Sequence, residues 1–379
     1  MQQGKRLAGP DSQNKKELLP LIAIAVILLG LSIASFVLPD QAFSANENRY
    51  LQQKPKLTWQ SLMAGDFTAD AEDYTADQIA LRDVWMESKS VLQRASGKKD
   101  IDGTYLAEDG YYLARVTEDD FDRRQFEKNA QIVSAFFAAN EDKDCRIMLI
   151  PQPATVLADK LPDHAETFDR PACDRYLADA FMGNAILPYN TLREAAETEQ
   201  VFYRTDHHWT SFGAEAVYEL WARSTGHAVR DFSLTRVTDS FRGTMYSKVL
   251  LPDSACDSIY LDENVTIRSM DCDGTVYPSL YVDAALEQKD KYEVFMGGNY
   301  AKAVIDTGTE NGRHLLLIKD SFANSFIPFI AGDYETITVL DLRYFRGSVQ
   351  ELAEKSTDIL VLYEMTGFAA DGNQIKLMK

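Results

Sequence analysis

Apolar positions along this 379-residue chain follow three successive patterns. The first is unbroken: Leu18 to Pro39, LLPLIAIAVILLGLSIASFVLP, has no charged residue, close to the roughly 20 residues a helix needs to cross a bilayer's hydrocarbon core. A transmembrane helix is therefore expected over 18–39. Lys5, Arg6, Lys15 and Lys16 all precede it, so the positive-inside tendency leaves 1–17 as a cytoplasmic tail and carries the main domain out of the cytoplasm. A cleaved signal peptide is the alternative, but its apolar region would span only about 7–15 residues, and a small-x-small cleavage site is approximate at best around Ala42 to Ala45.

The second pattern has the helical period. Over 40–100, turn residues give way to a run from about Ala71 to Ala95 that brings Ile79, Trp85, Val91 and Leu92 toward one face, the signature of a linker that becomes a docking helix.

The third pattern, over 101–379, alternates helices with short apolar runs. An amphipathic segment from about Phe121 to Asn140 is followed by the strand CRIMLIP, by VFYRT (Val201 to Thr205), and by a helix from about Ser211 to Thr225. YEVFMGG (Tyr292 to Gly298), HLLLIKD, a helix to about Ile330, TITVLD and DILVLYEM complete the series. Near-continuous apolar strands separated by helices predict an α/β fold whose mostly parallel sheet is covered on both faces. Residues 226–291 break the rhythm and read as a β-rich insertion beside the core.

Composition narrows the function. At 45% apolar residues the chain has ample material for a core, and its net charge of −19 argues against nucleic acid as a partner, which would demand a cationic face. The four cysteines show no CxxC spacing, so a structural zinc site is not expected. Cys256 and Cys272 can close a short disulfide loop; unpaired buried thiols, including Cys145 and Cys173, fit equally well. No cofactor motif is present.

Two of only five histidines stand side by side in TDHHWTSFGA. If the backbone stays extended after VFYRT, Asp206 and His208 share a face and His207 points the other way. An acid beside an imidazole fixes its tautomer and frees the other ring nitrogen to deprotonate a nucleophile. Ser321, in LLLIKDSFANSF, is the candidate: it follows an apolar strand where a helix begins, at the end of a parallel sheet where ligands usually bind. Locally, capping of that helix by Asp320 or Ser321 is the simpler role. A metal at the paired histidines would want further ligands, and His164, His227 and His314 form no ligand pattern. Trp209 reads first as a packed anchor of the histidine loop.

Together, TDHHWTSFGA and LIKDSFANSFIPF…ITVLDLRYF resemble the DHHW family of bacterial envelope proteins, and ENRYLQQKPKLT, ALRDVW, RGTMYSK and FMGGNYA extend the resemblance over nearly everything after the apolar segment. That family is similar to the AlgJ/AlgX-like SGNH hydrolase-like domains of polysaccharide O-acetylation, in which an Asp-x-His-Trp motif precedes the serine. The resemblance implies a three-layer SGNH-like sandwich and a Ser321, His208, Asp206 triad. It implies acyl transfer or ester hydrolysis on a cell-envelope polysaccharide, with a membrane-bound O-acyltransferase as the partner supplying acyl groups. A non-catalytic scaffold or glycan-binding protein of the same fold is the alternative. One departure concerns the oxyanion hole: Lys319 stands where ordinary SGNH enzymes carry glycine before Asp-Ser. Its candidate donors are the Ser321 amide with Gly298 or Asn299, glycines needed only for a tight turn being the competing explanation. Arg343 is expected to organise a carboxylate such as Asp341 or Asp320.

Overall fold

The computed structural model describes residues 10–378 except Ala45 and Asn48; Lys5 and Arg6, on which the orientation expectation partly rests, lie outside the described residues. The chain divides into two compact units, residues 1–91 and 92–379.

In the first unit a helix runs over Pro10–Val37, and its stretch Leu18–Val37 is long and apolar enough to cross a membrane. It stops short of residue 39 because Leu38 precedes Pro39, and a residue before proline is pushed out of helical geometry. The single docking helix expected over 71–95 is instead broken. Trp59–Ala64, Asp66–Asp77 and Arg82–Ala95 are separate helices, the first ended by Gly65 at φ 85° and the third preceded by Leu81 at φ 61°. The break rotates the register, so Ile79, Trp85, Val91 and Leu92 do not form one buried stripe and all remain exposed. Asp77 fixes the loop before these helices, accepting from Arg49 Nη1 and the Gln52 amide, both at 2.8 Å.

The second unit is built on an eight-stranded sheet. Its order is Thr275–Tyr277, Ser269–Cys272, Lys302–Asp306, Thr336–Leu340, His314–Lys319, Asp358–Glu364, Asp144–Ile150, Ala185–Ile186. The last five strands are mutually parallel, and the first three are antiparallel additions along one edge. Strand periodicity divides the core into two faces. Met148 and Ile150 pack with Leu315, Leu317, Leu360 and Leu362 on one side, against Val217 and Trp221 of the helix Ser211–Thr225. Ile147 and Leu149 pack with Leu316, Ile318, Ile359 and Val361 on the other, against Phe126 and Val133 of the helix Arg123–Ala138 and Leu177 of Arg170–Phe181. Each such side chain contributes about 1.5–3 kcal/mol of burial, which explains why the central strands tolerate no solvent-facing alternation.

Two expected strands are absent from this sheet. VFYRT makes only the bridge Phe202↔Trp209, and YEVFMGG forms a 3-10 turn over Lys291–Val294 with the bridge Tyr281↔Phe295. Their apolar side chains are buried in a loop packed under the sheet's end, which periodicity over five to seven residues does not distinguish from a strand. Nor does 226–291 simply lie beside the core. Leu234–Phe241 and Asp257–Asp262 form their own pair, but Ser269–Cys272 and Thr275–Tyr277 join the main sheet, with Met270 and Cys272 in its core. All four cysteines are unpaired: Cys145, Cys173 and Cys272 are buried and Cys256 is exposed, so the Cys256–Cys272 disulfide does not form.

Candidate active site

Val201–Thr210 doubles back on itself. The Tyr203 amide donates to His208 O at 3.2 Å and the Thr210 amide to Val201 O at 2.9 Å. The buried Asp257 carboxylate holds the near limb, accepting from the amides of Arg204 (3.0 Å) and Thr205 (2.8 Å) and from Thr205 Oγ1 (2.7 Å). Thr210 then caps the helix Ser211–Thr225. Asp206 and His208 share a side not through a strand pleat but because Asp206 Oδ1 accepts the His208 amide at 3.0 Å, an Asx turn.

His207 therefore does not point away, as extended backbone would require. Its ring lies 3.8 Å from the His208 ring, and its Nδ1 is 2.7 Å from Thr244 Oγ1. Trp209 is fully buried and donates from Nε1 to Phe322 O at 2.9 Å, which ties the histidine loop to the turn carrying Ser321.

Ser321 sits one residue beyond the strand His314–Lys319, at the start of a 3-10 turn over Ser321–Ser325. Asp320 supplies the cap: its Oδ1 accepts the Phe322 amide at 2.9 Å, and its Oδ2 accepts the Glu364 amide at 2.8 Å. Burial pushes the Asp320 carboxyl up to about 7. With capping assigned to Asp320, the Ser321 hydroxyl is free for another partner. Its Oγ lies 2.8 Å from His208 Nε2, and His208 Nδ1 lies 2.5 Å from Asp206 Oδ1.

The remaining carboxylate oxygen, Asp206 Oδ2, accepts from the Thr244 amide at 2.8 Å and from Thr244 Oγ1 at 3.0 Å. Burial alone would raise the Asp206 carboxyl, but the charges and hydrogen bonds of His207 and His208 outweigh it and hold the group well below the ordinary carboxylate range. Burial, reinforced by His207, pushes the His208 imidazole down to about 4 against the pull of Asp206. At neutral pH the imidazole is thus unprotonated and able to take a proton.

Residues that local sequence did not single out complete the frame. The Tyr292 ring stacks on His208 at 3.8 Å and 7°. Its hydroxyl donates to Ser321 O at 3.1 Å and so accepts from Ser325 Oγ at 3.0 Å. Gly243 passes so close to Asp206 that a Cβ there would fall 2.2 Å from Oδ2. RGTMYSK, which contains Gly243 and Thr244, was legible as a motif; its contact with Asp206 was not, and nothing around Tyr292 signalled a role.

Asp206, His207 and His208 offer three donor atoms within 4.8 Å of one another, a spacing compatible with a cation. Both Asp206 oxygens and His208 Nδ1 are, however, committed to the hydrogen bonds above, and ligation at about 2.0–2.2 Å would break them. The arrangement is that of a proton-relay chain.

On the other side of Ser321, Lys319 is buried among amides. Its Nζ donates to Asn299 Oδ1 at 2.8 Å and Asn324 Oδ1 at 2.7 Å, while Asn324 Nδ2 donates to Gly298 O at 3.3 Å. Met296, Gly297 and Gly298 all have positive φ, turning this loop tightly beside the Ser321 turn. Asn299 Oδ1 also accepts from Asn324 Nδ2 at 3.4 Å, so Lys319 and Asn324 both hold that side chain. The amides of Ser321, Gly298 and Asn299 have no protein acceptor among the described residues. Arg343 is paired with Asp341, with Nε–Oδ1 at 2.9 Å and Nη2–Oδ2 at 2.6 Å, and organises the end of the neighbouring strand.

Comparison with known proteins agrees with this architecture. Residues 180–340 match the DHHW protein family, and residues 111–244 match the SGNH hydrolase-like domain of the acetyltransferase AlgX. No curated protein matches the sequence. The fold is similar to that of a DHHW family protein from Eubacterium siraeum, with 22% identity and a TM-score of 0.62 over 74% of this chain and 96% of that one. It is also similar to Bacillus cereus PatB1, solved with a sulfonyl adduct, with 20% identity and a TM-score of 0.59 over 71% of this chain and 97% of that one. The chain thus has an SGNH hydrolase-like fold, is similar to the DHHW proteins over residues 180–340, and is similar to the AlgX acetyltransferase domain over residues 111–244.

Proposed function

We propose that this chain is a membrane-anchored, extracytoplasmic O-acyltransferase that acetylates a cell-envelope polysaccharide. The observation that carries the proposal is the unbroken hydrogen-bond chain from Ser321 through His208 to Asp206 at the carboxyl end of the parallel sheet. His208 Nε2 takes the Ser321 proton as Oγ attacks the acetyl carbonyl of a donor, and Asp206 steadies the imidazolium that forms. The backbone amides of Ser321, Gly298 and Asn299 are the donor set for the oxyanion; one such donor is worth about 3–4 kcal/mol in related chemistry. His208 then returns its proton to the leaving group, takes one from the accepting sugar hydroxyl, and Ser321 is regenerated. The match to an acetyltransferase domain favours a sugar hydroxyl over water as the acceptor. The helix containing Leu18–Val37 would hold the domain at the membrane, where a membrane-bound O-acyltransferase would present the acyl group.

The test uses the full chain in detergent, acetylated with 4-nitrophenyl acetate and labelled with an activated sulfonyl fluoride. Wild type should react, and Ser321→Ala and His208→Ala should each lose at least a hundredfold. Equal reaction in all three would sink the triad and leave the non-catalytic scaffold or glycan-binding reading. Acetate released against acetate transferred separates an esterase from a transferase.

A further inference from the structure

Residues 78–85 wrap the end of the apolar helix within the first unit. Ser35, just inside the end of the stretch Leu18–Val37, gives its hydroxyl proton to Leu31 O at 2.8 Å and accepts the Ala80 amide at 2.9 Å. Gln78 clamps the chain that leaves the helix: its Oε1 accepts the Gln41 amide and its Nε2 donates to Gln41 O, both at 2.9 Å. The Tyr74 hydroxyl adds a bond to Asp40 Oδ1 at 2.9 Å. Beside these contacts is a notch of about 310 Å³ whose apolar lining is Leu38, Pro39, Ile79, Leu81 and Val84.

The contact with Ser35 sets the depth of this turn. At about 1.5 Å per residue the 20 residues of Leu18–Val37 measure roughly 30 Å, the thickness of a bilayer's hydrocarbon core. Ser35 then lies about 3 Å inside the edge of that core, and the turn bonded to it is level with the same edge. Its side chains suit that medium. Ile79, Leu81, Val84 and Trp85 are all exposed, as are Phe36 and Val37 of the helix itself. Leu81 adopts φ 61°, where glycine would sit with less strain, yet carries a large apolar side chain that is 61% exposed. Trp85 donates from Nε1 to Ala80 O at 3.2 Å and keeps the rest of its ring exposed, the division of polar edge and apolar face that places tryptophan at membrane interfaces. Ile79 O and Leu81 O accept the amides of Arg82 (3.2 Å) and Trp85 (3.1 Å), so three successive carbonyls of the turn are satisfied without water, as backbone at the edge of hydrocarbon requires. Arg82 pairs with Glu47 at 2.5 Å and lies 3.4 Å from Asp77, which leaves an apolar contact rather than one with lipid phosphate.

We propose that residues 79–85 are a second membrane contact, in which Ile79, Leu81, Val84 and Trp85 enter the boundary between headgroups and acyl chains in the leaflet where the helix ends. The proposal rests on the membrane-anchor reading above. It adds that the first unit is seated on the bilayer as a collar around the helix, by apolar burial of the kind that surface helices use at depths of about 5–10 Å.

The test places the full chain in phosphatidylcholine vesicles with the fluorophore NBD on a single introduced cysteine, Leu81→Cys, Val84→Cys or Phe36→Cys, each combined with Cys256→Ser because Cys256 is the exposed native thiol. A nitroxide on the lipid acyl chain near the headgroup should quench the labels at 81 and 84 at least twofold, and aqueous iodide should leave them bright. Adding Leu81→Asp to the Val84→Cys chain should halve the lipid quenching at 84, while the same substitution leaves quenching at 36 unchanged. Labels at 81 and 84 that iodide quenches and the lipid nitroxide does not are in water and overturn the collar. Labels that neither reagent reaches are covered by protein, such as a second copy of this chain, and overturn it as well. So does quenching that appears only when phosphatidylglycerol is added, or quenching at 84 that Leu81→Asp leaves unchanged. The label at 36 separates the two readings: its quenching without quenching at 81 and 84 sinks the collar alone, whereas a label at 36 that the lipid nitroxide does not reach sinks the membrane anchor itself.

Discussion

Gly243→Ala adds one methyl group at the most constrained point of the site. The new Cβ would fall 2.2 Å from Asp206 Oδ2, 2.3 Å from its Cβ and 2.5 Å from its Cγ, where contacts of about 3.4 Å or more are normal. Neither neighbour has room to yield independently. Asp206 is held by Thr244 at 2.8 and 3.0 Å and by His208 at 2.5 and 3.0 Å, and the Gly243 amide is itself tied to Thr205 Oγ1 at 3.3 Å. Relief therefore demands a displacement of roughly 1 Å of the carboxylate or of the 243–244 backbone, and misplacement on that scale costs about a hundredfold in rate. That is roughly 2.7 kcal/mol in the barrier. Overpacking adds about 1–3 kcal/mol of destabilisation. The assay is the rate of Ser321 acetylation, with a thermal melt of the same sample and Gly372→Ala as control, a position where a Cβ meets nothing within 4 Å. Expected are a loss of about a hundredfold and a melting point lowered by several degrees, with the control unchanged. A Gly243→Ala chain within threefold of wild-type rate would refute the claim that this glycine sets the Asp206 position.

Tyr292→Phe keeps the ring stacked on His208 but removes the hydroxyl from Ser321 O, and should cost about 1 kcal/mol; Tyr292→Ala should cost about 3–5 kcal/mol and slow Ser321 labelling more strongly. Equal losses in the two variants, read by melting and by labelling, would refute a role for the stack. With the His208 imidazole lowered to about 4, the acid limb of kcat/KM should fall below the ordinary 6.5, and a midpoint at or above 6.5 would refute the burial argument. The unfolded chain binds more protons between those values, so this residue's contribution to stability is lost as pH falls from 6.5 through 4. Burial lowers Lys319 to about 8, so activity should decline as pH rises through 8 and the amine loses the charge that orients Asn299. The folded state binds fewer protons than the unfolded between 8 and 10.5, so this residue's contribution to stability rises there, and a melt that does not weaken distinguishes the decline from unfolding. Lys319→Met should remove this limb and lose at least tenfold in rate.

Where long segments carry their own pattern, sequence and structure coincide closely. The helix expected from Ser211 to Thr225 has those bounds, and the runs LLLI and ILVLY make central strands because they are apolar at every position, as only a strand covered on both faces can be; Thr336–Leu340 joins them although Thr336 and Thr338 leave it alternating. The three side chains that the structure brings into one hydrogen-bonded chain, Asp206, His208 and Ser321, were named as candidates from residue type, spacing and their place beside predicted elements. How those residues meet was not. The pleat argument placed Asp206 and His208 together for the wrong reason and turned His207 outward, because five residues of VFYRT cannot reveal that the chain doubles back under Asp257. Gly243 and Thr244 lie 37 residues or more from Asp206, and Tyr292 lies 84 from His208; no local period reports a contact of that separation. The sequence by itself determined the layers, the apolar N-terminal segment and the candidate groups of the site, all properties of residue type and short-range periodicity. Only tertiary packing decided that Asp320 caps, that Ser321 is left free, and that His207 stands against His208 facing a cleft, because each depends on which distant backbone occupies the last few ångströms beside the site.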